Sequence, residues 1–176
     1  MGMNFVNLDE KTREFMLNEL EQDIASNKLY LSPRLNDAGH RNYEKMLRSA
    51  IQNGDDVSLA NSLVGLFREY EQRAKPSGGY TTARIPNTAH ETLAEGEFNR
   101  FYCRGVCRRA TEEGLEEIEV YRAKAVLNPR PQSQALVGSK IKADRLLNDL
   151  RTNIGVDTAL GVPAGPNSGL SVRLPQ

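Results

Sequence analysis

Ala89-His90-Glu91-Thr92-Leu93-Ala94-Glu95-Gly96-Glu97-Phe98-Asn99-Arg100-Phe101-Tyr102-Cys103-Arg104-Gly105-Val106-Cys107-Arg108-Arg109-Ala110-Thr111-Glu112-Glu113 reads as one long helix. Leu93, Ala94, Phe98, Phe101, Tyr102, Val106 and Ala110 recur at helical spacing and form its apolar side. Asn87 or Thr88 stands where an N-cap belongs, after Pro86, and Gly114 is a natural terminator. Gly96 and Gly105 inside the helix each cost about 1 kcal/mol against alanine. A glycine there permits close backbone packing.

Upstream, three further helices are expected. Asp9 caps the first, whose stripe is Leu8, Phe15, Met16, Leu20 and Ile24, ending near Ser26-Asn27. The second follows Asn36-Asp37 and buries Tyr43, Met46, Leu47, Ala50 and Ile51; Gly54 suits a left-handed C′ residue. Asp55-Asp56 caps a third, carried by Leu59, Leu63, Leu66, Phe67 and Tyr70 to about Ala74. Lys75-Pro76-Ser77-Gly78-Gly79 reads as a linker closed by Pro86.

Downstream, Glu117-Ile118-Glu119-Val120-Tyr121-Arg122-Ala123 alternates strictly and reads as a strand, broken by Asn128-Pro129-Arg130-Pro131. A short helix, Lys142 to Arg151, carries Leu146, Leu147 and Leu150. Gly161 to Gly169 is too rich in Gly and Pro for regular structure. Leu170, Ser171, Val172, Arg173 and Leu174 alternate again, as a strand that pairs with Ile118–Ala123 or adds to a neighbouring subunit. The fold class expected is mainly α: a small helical bundle with a minor strand pair and an extended C-terminal arm. The divisions are 1–75 (helical part), 76–86 (linker), 87–128 (long helix plus strand) and 129–176 (arm with one short helix). The arm mixes rigid breakers with spaced apolar anchors, which a disordered tail lacks. It packs over its own bundle or docks on another subunit.

Composition excludes several classes. The 176 residues carry 23 basic and 23 acidic side chains, so no global field draws the chain to nucleic acid or an anionic membrane. No apolar run is long enough for a membrane span, and Met1 to Asp9 is too polar for a signal-peptide core. Two cysteines are no disulfide framework, and a cytoplasmic compartment is the default.

The candidate constellations each carry a plainer reading. Arg100, Arg104, Arg108 and Arg109 form a basic stripe that can contact phosphates, or simply a solvated helix face balanced by Glu97, Glu112 and Glu113. Cys103 and Cys107, four apart, serve as packing residues, as part of a metal or redox site with His90, or in an intersubunit disulfide. His90, Glu91, Glu95 and Glu97 lack metalloprotease spacing, and acidic residues suit a first helical turn. Gly138-Ser139-Lys140 has the wrong order for a phosphate loop. No catalytic residue, metal ligand or cofactor is assigned, and an enzyme is not expected.

The stretch Leu93 to Ala110, then Val120-Tyr121-Arg122-Ala123-Lys124, and the ending Gly165-Pro166-Asn167-Ser168-Gly169-Leu170-Ser171-Val172-Arg173-Leu174 resemble a family of uncharacterised phage and prophage proteins. A helical bundle with a C-terminal arm is similar to the head-to-tail connector (adaptor) proteins of tailed phages. That resemblance implies a structural virion protein, made in the host cytoplasm and assembled with itself in a ring or shell and with portal or tail and neck subunits. Leu170 to Leu174 would then be the partner-binding strand. The rival expectations are a capsid cement protein, a nucleic-acid-binding regulator using the arginine stripe, and a small metal protein around Cys103, Cys107 and His90.

Overall fold

The long helix is the axle of the molecule, and it is buried on more sides than its apolar stripe suggests. The computed structural model describes residues 2–163, 165 and 167–176. Its elements run α1 (Glu10–Ala25), α2 (Asp37–Asn53), α3 (Asp56–Ser62), β1 (Tyr70–Ala74), β2 (Tyr80–Arg84), α4 (Ala89–Glu112), β3 (Glu117–Arg122), α5 (Pro131–Leu136), β4 (Lys140–Lys142), α6 (Ala143–Thr152) and β5 (Leu170–Arg173). The chain is helix-rich, 46% helical, yet mixed α/β, with two small antiparallel sheets among the described residues.

α4 packs against α1, α3, α6, β3 and β5. From Glu97 to Cys107 every residue except Arg100 is buried. α4 ends where Gly114 takes φ +74, and the Leu115 N–H donates to the Ala110 carbonyl at 2.8 Å. That six-to-one bond satisfies a carbonyl the helix cannot use itself. Asp9 caps α1 through the Thr12 N–H, and Asn36 caps α2 through the Gly39 N–H. Asp55 and Ser58 cap α3 reciprocally.

Gly54 departs from expectation: its φ is −128, not left-handed. Its role is space, because a Cβ there would stand 2.1 Å from Ser58 Oγ in that reciprocal cap.

The third helix stops at Ser62, well short of Ala74. Gly65 turns the chain at φ +78, and the segment after it pairs with the one before α2. Leu35 bridges Phe67, Asn36 N–H donates to Leu66 O at 2.9 Å, and Arg68 N–H to Arg34 O at 2.8 Å. Helical spacing of Leu66, Phe67 and Tyr70 lost to this long-range pairing. Residues 70–84 then form a β-hairpin, in register from Tyr70↔Arg84 to Ala74↔Tyr80. The stretch read as a linker is its turn, with Gly78 and Gly79 at positive φ.

The C-terminal region is not an extended arm. It holds α5, β4, α6 and β5, and β4-β3-β5 is a three-stranded antiparallel sheet against α4. α5 was illegible because six residues cannot show a period; Pro131 at its first turn supplies the preset φ. The irregular loop after α6 is pinned by Asp149, which accepts from the Ala159 and Leu160 N–H groups at 2.9 and 2.8 Å. At the other terminus Asn4 N–H donates to Ala123 O at 2.8 Å, and Phe5 stacks obliquely on Phe98 and Tyr102.

The two α4 glycines separate cleanly. A Cβ on Gly105 would sit 2.6 Å from Met16 Cγ and 3.0 Å from the Thr12 carbonyl, so this glycine sets the α1–α4 approach. A Cβ on Gly96 meets nothing within 4 Å. In urea unfolding, Gly96→Ala should therefore gain about 0.5–1 kcal/mol, the helix-propensity difference, while Gly105→Ala should lose about 1–3 kcal/mol to overpacking. Equal signs for the two would refute this account of the crossing.

Candidate functional site

The arginine stripe of α4 points inward. Glu19 of α1, fully buried, receives Arg104 at 2.8 Å, Arg108 at 2.9 Å and Arg151 of α6 at 2.5 Å. Arg104 is itself 3% exposed, pairs with both oxygens of Asp23 at 2.7 Å and lies over the Phe101 ring. Arg109 binds Asp9 at 2.6 Å and Glu113 at 2.9 Å. Arg100 donates to the backbone carbonyls of Asn153 and Val156. All four candidate phosphate contacts are thus committed within the chain. Burial would raise the Glu19 pKa, but the hydrogen bonds of Arg151, Arg104 and Arg108 and the Arg104 charge outweigh it and hold it at about 2.

The candidate partner strand is also committed. β5 pairs with β3 from Glu119↔Arg173 to Arg122↔Leu170, and Leu170, Ser171 and Val172 are fully buried. Asn99 of α4 donates to Leu170 O at 2.8 Å and accepts from Ser171 Oγ at 2.6 Å. Arg173 pairs with Glu119 at 2.6 Å, and the Leu174 N–H donates to Asn7 Oδ1 at 2.9 Å. Of the two pairings open to this strand, the chain uses the one with residues 118–123.

Cys103 and Cys107 are free and fully buried. Burial pushes the Cys103 thiol up to about 11 despite hydrogen bonds from Ser171 and Val172, and pushes Cys107 well up. Such thiols are poor nucleophiles and out of reach of a second chain. The acidic run on α4 is dispersed: His90 lies 3.9 Å from Glu91, Glu95 pairs with Lys124 at 2.5 Å, and Glu97 turns into the interior. Among the described residues, no three His, Cys, Asp or Glu side chains gather as a metal site, and no helix is long and apolar enough to cross a membrane.

Two features escaped the sequence. One is a cleft of about 300 Å³ over the first half of α4. Tyr30, Pro33, Phe67, Leu93 and Val156 supply apolar wall, and Glu97 reaches it from the floor. Glu97 is 8% exposed and has no hydrogen-bond or ion-pair partner among the described residues. Burial raises its pKa to about 7, against the pull of Arg100 and Arg104 and with help from Asp23. The cleft joins segments distant in sequence, and Glu97 stands in a run with Glu91 and Glu95, so no local signal marked it. The other feature is the β1–β2 hairpin. It contacts no other element extensively and forms a sheet of its own. Tyr70, Gln72 and Ala74 share one face with their partners Arg84, Thr82 and Tyr80. Tyr70 and Tyr80 are 52% and 72% exposed on that face. Glu71, on the opposite face, is clamped by Arg34 through two hydrogen bonds of 2.6 and 2.9 Å.

No known protein family, curated protein or solved structure matches this chain.

The two buried acids have opposite pH signatures. Glu19, depressed from 4.5 to about 2, adds stability above pH 4.5 that fades as pH falls toward about 2. Glu97, raised from 4.5 to about 7, is best accommodated below pH 4.5, and its cost grows as pH rises toward about 7. Glu19→Gln should cost about 3–5 kcal/mol near neutral pH, because it strands buried arginine charge, and this difference should shrink in acid. Glu97→Gln should instead remove a fall in wild-type stability of up to about 3 kcal/mol between those pH values. Denaturant melts of the three proteins across pH check both; a wild-type and Glu97→Gln pair with parallel pH profiles would contradict the second.

Proposed function

We propose that this chain is a non-enzymatic assembly subunit of a tailed-phage virion, most specifically of the head–tail junction, and that its β1–β2 hairpin is the docking element. The hairpin carries this reading. A two-stranded ribbon alone is marginal in water, and an open strand edge is normally blunted or covered. Here each strand has one unpaired edge, and the outward face ends in two exposed tyrosines. Tyrosine supplies large contact area at low entropic cost. Strand addition along an open edge, with the tyrosines seated on the partner, is the recognition mode such a ribbon offers.

The virion setting is taken from the resemblance read in residues 93–110, 120–124 and 165–174; no matched relative adds to it. The contact role moves from Leu170–Leu174, which completes its own sheet, to Tyr70–Arg84. A nucleic-acid role for Arg100, Arg104, Arg108 and Arg109 loses its basis, because each is already bonded within the chain.

Native mass spectrometry over a concentration series is the test. A closed oligomer is expected for the wild type. Tyr70→Ser combined with Tyr80→Ser should shift assembly to at least about tenfold higher concentration, a loss of about 1.4 kcal/mol per contact set, with the helical circular-dichroism signal unchanged. A strict monomer, or an oligomer indifferent to the double variant, overturns the proposal. A ring-shaped oligomer favours the connector over a capsid cement protein.

A further inference from the structure

Glu97 is a buried carboxyl group with no hydrogen-bond or ion-pair partner among the described residues. The other charged groups of the cleft wall are matched, Arg34 with Glu71, Glu95 with Lys124, and Arg100 with the carbonyls of Asn153 and Val156, save Asp157 at the exposed rim. Deeper in, Asp23 is matched by Arg104. Among the described residues, Glu97 is the buried carboxyl group, nine-tenths out of solvent, that reaches the cleft with no donor. The fully buried Tyr43 hydroxyl also has no hydrogen-bond partner among the described residues, and burial first, then the Glu97 charge, raises its pKa. The wall opposite is fixed rather than loose. Arg100 ties down Asn153 and Val156, and Tyr30 packs on Gly155, where a Cβ would come within 2.4 Å of the ring.

We infer that the cleft is a binding site for a small organic cation, a primary ammonium on a short apolar or aromatic stem, with Glu97 as its counter-ion. The chemistry follows from the lining. A buried carboxylate is costly alone and tolerable when paired and hydrogen-bonded. A cation that enters ionises Glu97 and supplies the missing donors, while Tyr30, Phe67 and Leu93 cover the stem. The volume lies at the small end of ligand sites, about 300–1,000 Å³. Two sources offer this chemistry: a free amine, and a lysine side chain from a second copy of the chain. The inference stands independently of the hairpin reading, because the free amine reports on the cleft without assembly.

Benzylammonium is the probe, with benzyl alcohol as its neutral isostere, in calorimetric titrations of the full chain. The wild type should bind the amine saturably at about pH 8 and at least about tenfold more tightly than the alcohol. Glu97→Gln should erase that preference. Gly96→Leu, at a position where a side chain meets open space beside the cleft and where helix propensity improves, should block both probes without loss of fold. Lowering the pH to about 5.5 should weaken the amine more than about tenfold, since Glu97 regains its proton while the amine stays charged. The charged and titratable groups facing Glu97 are Arg100 and Arg104 on α4, Asp23 on α1 and Tyr43 on α2, with Arg34, Glu71, Glu95 and Asp157 around the cleft. Where the wild type assembles, loss of the oligomer in Glu97→Gln assigns the cation to a lysine of a second copy; an intact oligomer, or a wild type that is a monomer, assigns it to a free amine. Absence of saturable amine binding, or equal binding by wild type and Glu97→Gln, overturns the inference.

Discussion

Glu19 holds the helical layers together. One carboxylate with no solvent exposure accepts arginines from two elements, Arg104 and Arg108 from α4 and Arg151 from α6, while α1 carries the acid. An ionised group so deeply buried survives only because its lone pairs are saturated by charge-assisted donors. The arrangement also fixes register. α4 cannot slide or rotate against α1 without breaking Arg104 from both Glu19 and Asp23, and the glycine at 105 lets the two backbones approach closely enough for those bonds to form. Apolar packing alone would tolerate several rotations of a helix that is buried nearly all round; the ion cluster selects one.

That selection sets where the other polar side chains of α4 fall. With Arg104 turned toward α1, Asn99 meets β5 and closes the C-terminal strand into the sheet, and Glu97 falls beneath the cleft. Glu19 and Glu97 show how environment decides what a carboxyl group does. Both are buried, yet one is surrounded by donors and stays ionised far into acid, while the other has none and holds its proton almost to neutrality. The first is structural. The second is the kind of unpaired, perturbed group that marks a binding site when it opens onto a cavity.

The hairpin contrasts with the body. The body uses its C-terminal strands, the α4 arginines and both cysteines internally. The ribbon from Tyr70 to Arg84 does the reverse: it is anchored at its base by Arg34 and Glu71 and leaves its tyrosines and strand edges open. Contacts in an assembly are most economically made by such a projecting element on a rigid base.

Local signals were enough to locate most of this architecture. The sequence by itself determined α4, the starts of α1, α2 and α3, the short helix α6, the strands at 117–122 and 170–173, and the Gly114 terminator, because periodicity and capping are set by residues a few positions apart. It mistook the direction of the arginines: a stripe of Arg100, Arg104, Arg108 and Arg109 looks the same whether it faces water or a buried acid eighty residues upstream, and only packing against α1 decides which. It carried helix α3 on to Ala74 because Leu66, Phe67 and Tyr70 keep helical spacing, whereas the pairing of residues 66–68 with 34–36 diverts the chain into the hairpin. It offered β5 either its own sheet or a neighbour's, and the hydrogen bonds from β3 and Asn99 settled that choice within the chain. The cleft was invisible for the same reason: its walls come from the segments around 30, 67, 93 and 156, and no local pattern reports which distant segments will meet.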